Sequence, residues 1–279
     1  MEKKITDIKG TWELSNGVKM PYVGLGVWQS EDGKEVINAV KWALEAGYRH
    51  IDTAAAYQNE EGVGQAIKES GIAREDLFVT SKLWNDDQGY DNALKAFDKT
   101  MERLQLDVLD LYLIHWPVEH KFKDSWKALE KLYNDGRIRA IGVSNFLEPQ
   151  LKDLMENAEI KPMVNQLEFH PWLVQPELQE FCAKNNIQYE AWSPLMQGKI
   201  FEQDIVNDIA KKYGKSPAQI VLRWDLQHGI ITIPKSVKED HIKSNIDIFD
   251  FELDEADVKA IDKLDKSERL GPDPNDFDF

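Results

Sequence analysis

Leu109-Asp110-Leu111-Tyr112-Leu113-Ile114, followed at once by His115-Trp116-Pro117, is the stretch on which the fold turns. A six-residue, nearly all-apolar run that ends in polar residues and proline reads as a strand buried on both faces, as in a parallel sheet. Trp126, Leu129, Leu132 and Tyr133 come next at helical spacing, and Gly136 stops that helix. Ile138–Val143 is a second apolar run. Two buried strands joined by an amphipathic helix form a parallel βαβ unit.

The same alternation extends in both directions. Upstream, Val23–Gly26, Arg49–Asp52 and Leu77–Lys82 read as strands. Helices follow them at Glu35–Ala46, at about Glu60–Glu69, and through Leu94, Phe97, Met101 and Leu104. Downstream, Pro149 opens a helix, Met163–Gln166 is a weaker strand, and Pro176 opens the helix carrying Leu178, Phe181 and Cys182. Ile187–Trp192 is the seventh strand. Helices then cover Asp204–Tyr213 and the stretch from Ser216-Pro217 to Gly229, and Ile230–Ile233 is the eighth strand. A last helix spans about Glu255–Leu264, and the acidic stretch Arg269–Phe279 reads as irregular. Ahead of all this, Trp12 and Leu14, then Val18 and Met20, flank Asn16-Gly17, the pattern of a two-residue hairpin turn. Eight strands alternating with helices over about 240 residues favour a closed (β/α)8 TIM barrel over an open doubly wound sheet. The hairpin is expected to close the bottom of the barrel, and the chain is read as one domain, residues 1–279.

Composition narrows the function. The 279 residues include 34 Lys plus Arg against 50 Asp plus Glu, a formal net charge of −16. Such a surface repels nucleic-acid phosphates and anionic membranes, although a local basic pocket still suffices for one small anionic ligand. The single cysteine, Cys182, excludes an internal disulfide and a cysteine-based metal site. Met1–Gly10 lacks an apolar core, and no apolar run reaches membrane-spanning length. The expectation is a cytoplasmic monomer without metal, without nucleic-acid or membrane partners, acting on a small molecule.

A barrel of this type carries its chemistry at the C-terminal ends of its strands. There the sequence delivers Asp52 with Tyr57 on the next loop, then Lys82, then His115. Taken singly, these read as a cap, a solvated end and a core histidine. Together on one rim they point to general acid catalysis on a carbonyl. A tyrosine, ordinarily near pKa 10, is helped to release its proton by an ammonium beside it. An aspartate keeps that lysine charged, and a histidine hydrogen-bonds the substrate oxygen. No nucleophile–base pair and no metalloprotease-type histidine motif is present.

Six segments carry a resemblance to the aldo-keto reductases. They are Gly24-Leu-Gly-Val-Trp28, Asp52-Thr-Ala-Ala-Ala-Tyr57, Ser81-Lys-Leu-Trp84, His115-Trp-Pro117, Ile141-Gly-Val-Ser-Asn-Phe146 and Ile233-Pro-Lys-Ser236. The resemblance implies the (β/α)8 barrel with its hairpin and a reduced nicotinamide as hydride source, NADPH with NADH possible. It implies Tyr57 as proton donor, tuned by Lys82 and Asp52, with His115 orienting the carbonyl. It assigns Ser144, Asn145 and Gln166 to the carboxamide and Trp192 to stacking on the ring. Ser193, Leu195 and Gly198 match the stretch covering the pyrophosphate, and Lys235, Ser236 and Asn245 the adenosine end. Trp28, Trp84 and Trp116 match the substrate pocket. His241 stands where related sequences carry an arginine for the 2′-phosphate of NADPH, which puts the preference over NADH in question. The partial glycine patterns Gly24-x-Gly26 and Gly62-x-Gly64 are not a dinucleotide fingerprint.

The implied activity is reduction of small aldehydes and ketones, most similar to bacterial members acting on glyoxal, methylglyoxal or 2,5-diketogluconate. Short loops after Pro117 and after Leu264 imply an open pocket. Two other readings stay in view. One is a barrel that binds nicotinamide and senses its redox state with little turnover. The other is a nicotinamide-independent isomerase or lyase that places a sugar phosphate on Lys235 and Ser236.

Overall fold

The computed structural model describes residues 5–279. An antiparallel hairpin, β1 (Thr11–Glu13) and β2 (Lys19–Pro21), precedes the barrel. Its turn is one residue longer than the Asn-Gly pattern predicts. Leu14 N–H donates to the Val18 carbonyl, so the loop is Ser15-Asn16-Gly17, and only Gly17 has a positive φ, 86°. That is a turn closed by a left-handed residue, which glycine occupies without steric cost.

Eight parallel strands follow: β3 (Gly24–Gly26), β4 (His50–Asp52), β5 (Phe78–Leu83), β6 (Leu109–Ile114), β7 (Ile138–Ser144), β8 (Val164–Glu168), β9 (Gln188–Trp192) and β10 (Ile231–Thr232). They pair in sequence order, and parallel bridges from Val23 to Thr232 and from Gly26 to Lys235 close the sheet on itself. The barrel expected from the strand count is the one observed.

The outer layer consists of α1 (Lys34–Ala46), α2 (Glu60–Ser70), α3 (Tyr90–Leu104), α4 (Phe122–Asn134), α5 (Glu148–Met155), α6 (Pro176–Lys184), α7 (Asp204–Tyr213), α8 (Pro217–Gln227), α9 (Glu239–Asn245) and α10 (Glu255–Asp262). The longer helices bury an apolar stripe, as Val36, Val40, Ala43 and Leu44 do on α1. Gly62 and Gly64 lie inside α2, where a Cβ on Gly64 would sit 2.4 Å from the Leu104 carbonyl oxygen. Gly64 therefore serves helix packing. Cys182 is buried in the core. No helix among the described residues is long and apolar enough to cross a membrane.

Two elements depart from the sequence reading. Helix α9, which carries His241 and Asn245, has no apolar stripe beyond Ile242 to announce it. The segment after α10 is irregular, as expected, but it folds back over the mouth of the barrel. Phe279 stacks on Trp84 at 5.9 Å and meets Trp116 edge-on at 5.2 Å, and Phe277 lies 5.2 Å from Trp116. The pocket is thus walled by the tail, which corrects the open pocket inferred from its shortness.

Candidate active site

Strand β4 ends in Asp52, and a short 3-10 turn (Ala55–Tyr57) then presents Tyr57 at the barrel mouth. Asn59 pins this loop, accepting from Thr53 Oγ1 at 2.7 Å and donating to the Val27 and Ser30 carbonyls. Lys82, from β5, is fully buried across from Asp52. An ammonium has three N–H donors and no acceptor. All three of Lys82 are used: on Asp52 Oδ1 at 2.6 Å, the Thr53 carbonyl at 2.9 Å and the Tyr57 hydroxyl at 3.3 Å. Because the phenol oxygen accepts from Lys82, its own proton is left to donate elsewhere.

The balance of forces on Tyr57 differs from the sequence expectation. Burial raises its pKa above the ordinary tyrosine value and outweighs the Lys82 charge, which lowers it. The phenol therefore holds its proton firmly, while the ammonium stands ready to stabilise the phenolate. For Lys82, burial works against the charged form, but the Asp52 carboxylate prevails and the net displacement is upward. At Asp52 itself, burial outweighs the Lys82 charge and raises the carboxyl above the ordinary aspartate value.

His115 follows β6 and packs edge-on against Tyr57 (5.7 Å) and Trp84 (5.3 Å). Burial, then the Lys82 charge, hold it well below the usual histidine range, so it is neutral. A neutral imidazole has one N–H to donate toward a carbonyl oxygen.

Tyr57, His115, Asp52 and the three tryptophans Trp28, Trp84 and Trp116 line one cavity of about 1520 Å³, and Lys82 lies just beneath its floor. The same cavity is lined by Ser144, Asn145, Gln166, Trp192, Ser193, Leu195, Gly198, Lys235, Ser236, His241 and Asn245. Every residue expected at the cofactor thus shares the space that holds Tyr57. Trp28 stands half exposed at the rim, whereas Trp116 is buried.

The strand register explains this convergence: Ser144 pairs with Gln166, Gln166 with Glu190 and Glu168 with Trp192. Trp192 Nε1 donates to Asn145 Oδ1 at 2.9 Å, and Asn145 Nδ2 donates to the His115 carbonyl and to Ser144 Oγ. Gln166 Nε2 gives its two hydrogens to Asp52 Oδ2 and Glu190 Oε2, both at 2.8 Å, which leaves Oε1 as its remaining acceptor. A nicotinamide cofactor fits this donor set: an indole face, an amide acceptor, and Lys235 at the far end.

Two buried groups escaped the sequence reading. Glu190 and His50 share the barrel interior beneath Gln166, with His50 Nε2 3.8 Å from Glu190 Oε1. The visible signal was a charge, Glu190, inside the strand expected over Ile187–Trp192. His50, Asp52 and Glu190 bring ligand atoms within 4.8 Å of one another, a grouping the expectation of no metal did not foresee. Asp52 and Glu190 are engaged there by Lys82 and Gln166.

Comparison with known proteins agrees with the geometry. Residues 22–266 match the family model described as "Aldo/keto reductase family". The chain is 61% identical over 274 residues to the glyoxal reductase of Bacillus subtilis, covering 98% of this chain and 99% of that one. It is 48% identical over 270 residues to the methylglyoxal reductase DkgA of Escherichia coli, covering 95% and 97%. The structure of a Bombyx mori aldo-keto reductase in complex with NADP superposes with a TM-score of 0.89 at 38% identity, covering 94% of each chain.

Proposed function

Since the chain belongs to the aldo/keto reductase family and is an NAD(P)H-dependent oxidoreductase that reduces carbonyls, we propose that it uses NADPH to reduce small aldehydes and ketones of the glyoxal and methylglyoxal type, with Tyr57 as proton donor. The observation that carries this reading is the exhausted donor set of Lys82, with the Tyr57 oxygen as its third acceptor at the cavity floor. When bound, the reduced nicotinamide supplies a hydride to the carbonyl carbon. His115 holds the carbonyl oxygen with a neutral N–H, and Tyr57 passes its proton to that oxygen. Lys82 stabilises the phenolate left behind, and Asp52 keeps Lys82 charged and aimed.

Trp192 is the stacking surface for the ring, with Ser144, Asn145 and Gln166 around the carboxamide. Ser193, Leu195 and Gly198 cover the pyrophosphate, and Lys235, Ser236, His241 and Asn245 face the adenosine end. Trp28, Trp84 and Trp116 line the substrate side. The continuous barrel, with α10 packed back on α7, supports one domain.

The test is loss of nicotinamide absorbance with methylglyoxal, run with NADPH and with NADH, for the native chain and Tyr57→Phe. Native turnover favouring NADPH is expected. The variant is expected to bind NADPH as before while losing the roughly 10²- to 10⁴-fold that a positioned acid contributes. Native-level turnover in Tyr57→Phe would show that the proton comes from elsewhere.

A further inference from the structure

Glu168 ends β8, is fully buried, and has no part in the proton-transfer chemistry described above. Burying a carboxylate is costly unless hydrogen bonds replace its water. Here the replacements come from the C-terminal segment. Glu168 Oε1 accepts the backbone N–H of Leu270 at 2.7 Å and of Gly271 at 3.1 Å, and lies 3.0 Å from His170 Nε2. Oε2 has no hydrogen-bond partner among the described residues, and its nearest cation is Arg269 Nη1 at 4.0 Å.

The two captured amides sit where the chain presses on Trp192. A Cβ on Gly271 would lie 2.4 Å from Trp192 Cη2, so only a glycine lets the backbone lie against the indole. Beyond this point the chain crosses the cavity mouth. Asn275 accepts from Gln150 at 2.9 Å, Phe277 and Phe279 cover Trp116 and Trp84, and the Phe279 carbonyl accepts from Asn85 at 2.9 Å. One strap therefore touches both the surface assigned to the nicotinamide and the aromatic wall assigned to the carbonyl. Its attachment nearest Trp192 is Glu168.

We propose that Glu168 is a positioning residue: it pins residues 269–279 across the cavity and, through Gly271, braces Trp192 as a flat platform, so that one segment shapes the cofactor and substrate ends together. This rests on the reading of Trp192 as the stacking surface. Loosening the pin is expected to weaken binding at both ends more than it slows the chemical step, because Tyr57, Lys82 and Asp52 are held by β4, β5 and the Asn59-pinned loop.

The experiment compares the native enzyme with Glu168→Ala, Glu168→Gln and Gly271→Ala. Amide hydrogen exchange is followed over residues 266–279. The Kd of NADPH is read from tryptophan fluorescence, and KM and kcat are measured with NADPH and methylglyoxal. In Glu168→Ala, exchange at Leu270 and Gly271, the NADPH Kd and the methylglyoxal KM should each rise about tenfold, the scale of lost hydrogen bonds to a charged acceptor. kcat should fall by much less. Glu168→Gln, which keeps an amide oxygen to accept with, should recover most of the loss. Gly271→Ala should reproduce the Kd and KM changes with Glu168 intact, and it carries the test if Glu168→Ala does not fold.

Native exchange in a folded Glu168→Ala, or native Kd and KM in Gly271→Ala, would overturn the proposal. Absence of turnover in the native enzyme would instead sink the functional reading. The exchange and Kd measurements would still decide the role of Glu168.

Discussion

Replacing Glu190 by glutamine tests the charge arithmetic of the barrel interior. Two carboxyls, Asp52 and Glu190, share one amide group of Gln166, and only one ammonium, Lys82, is at hand. Lys82 pairs with Asp52. The nearest basic group to Glu190 is the His50 ring, which burial and the Lys82 charge drive down to about 3, so it brings no positive charge. Burial first, then the Asp52 charge, push the Glu190 carboxyl up to about 8 from an ordinary 4.5. Between those values the folded chain keeps a proton that the unfolded chain has released. The native state then binds more protons, and stability must fall as pH rises through this window. At about 1.4 kcal/mol per pH unit, a window of roughly three units amounts to a few kcal/mol. His50 acts in the opposite sense: neutral when folded, it costs stability as pH falls below its ordinary range, equally in both proteins. The amide side chain of Glu190→Gln has no proton to exchange. Urea unfolding of both proteins from about pH 5 to about pH 9 should give a difference that grows in favour of the variant as pH rises, by a few kcal/mol. A new amide that lacks a partner adds a constant offset, so the slope is the readout. Parallel curves would refute the assignment of the proton to Glu190.

Other expectations follow from the same geometry. Lys82→Met leaves the Asp52 carboxylate buried without its cation and should cost about 3–5 kcal/mol in denaturant unfolding, besides abolishing turnover. Because burial raises the Tyr57 phenol, kcat/KM for reduction should stay level through neutrality and fall only at alkaline pH, as the donated proton is lost. A decline centred near neutrality would contradict this. Phe279→Ala removes one stacked and one edge-on aromatic contact. At about 0.5–1.5 kcal/mol per pair, or about 1–3 kcal/mol for the two, the methylglyoxal KM should rise by roughly 5- to 150-fold while bulkier aldehydes are admitted more easily. His241→Arg places a fixed charge and a two-pronged donor on the cavity wall and should shift the NADPH-to-NADH ratio of Kd values toward NADPH by about tenfold.

What the sequence discloses tracks how local its physical cause is. Leu109–Ile114 shows itself as a buried parallel strand because every position must be apolar or paired, and the next strands repeat that demand. The titratable residues at the strand ends are legible for the same reason, since a charge placed directly after an apolar run needs a partner. Helix α9 is not legible, because its seven residues bury only Ile242 and Asn245 and leave no stripe. Phe277 and Phe279 read as an irregular acidic tail because their partners, Trp84 and Trp116, are distant in sequence. Glu168 and Glu190 gain their meaning from strand register and chain return. Lys82 beside a tyrosine predicts a lowered phenol, and that electrostatic effect is present. The opposing effect is the absence of water, to which the fold contributes as a whole and no motif contributes alone. Where the two oppose, as at Tyr57, a motif identifies the partners and the packing decides the sign.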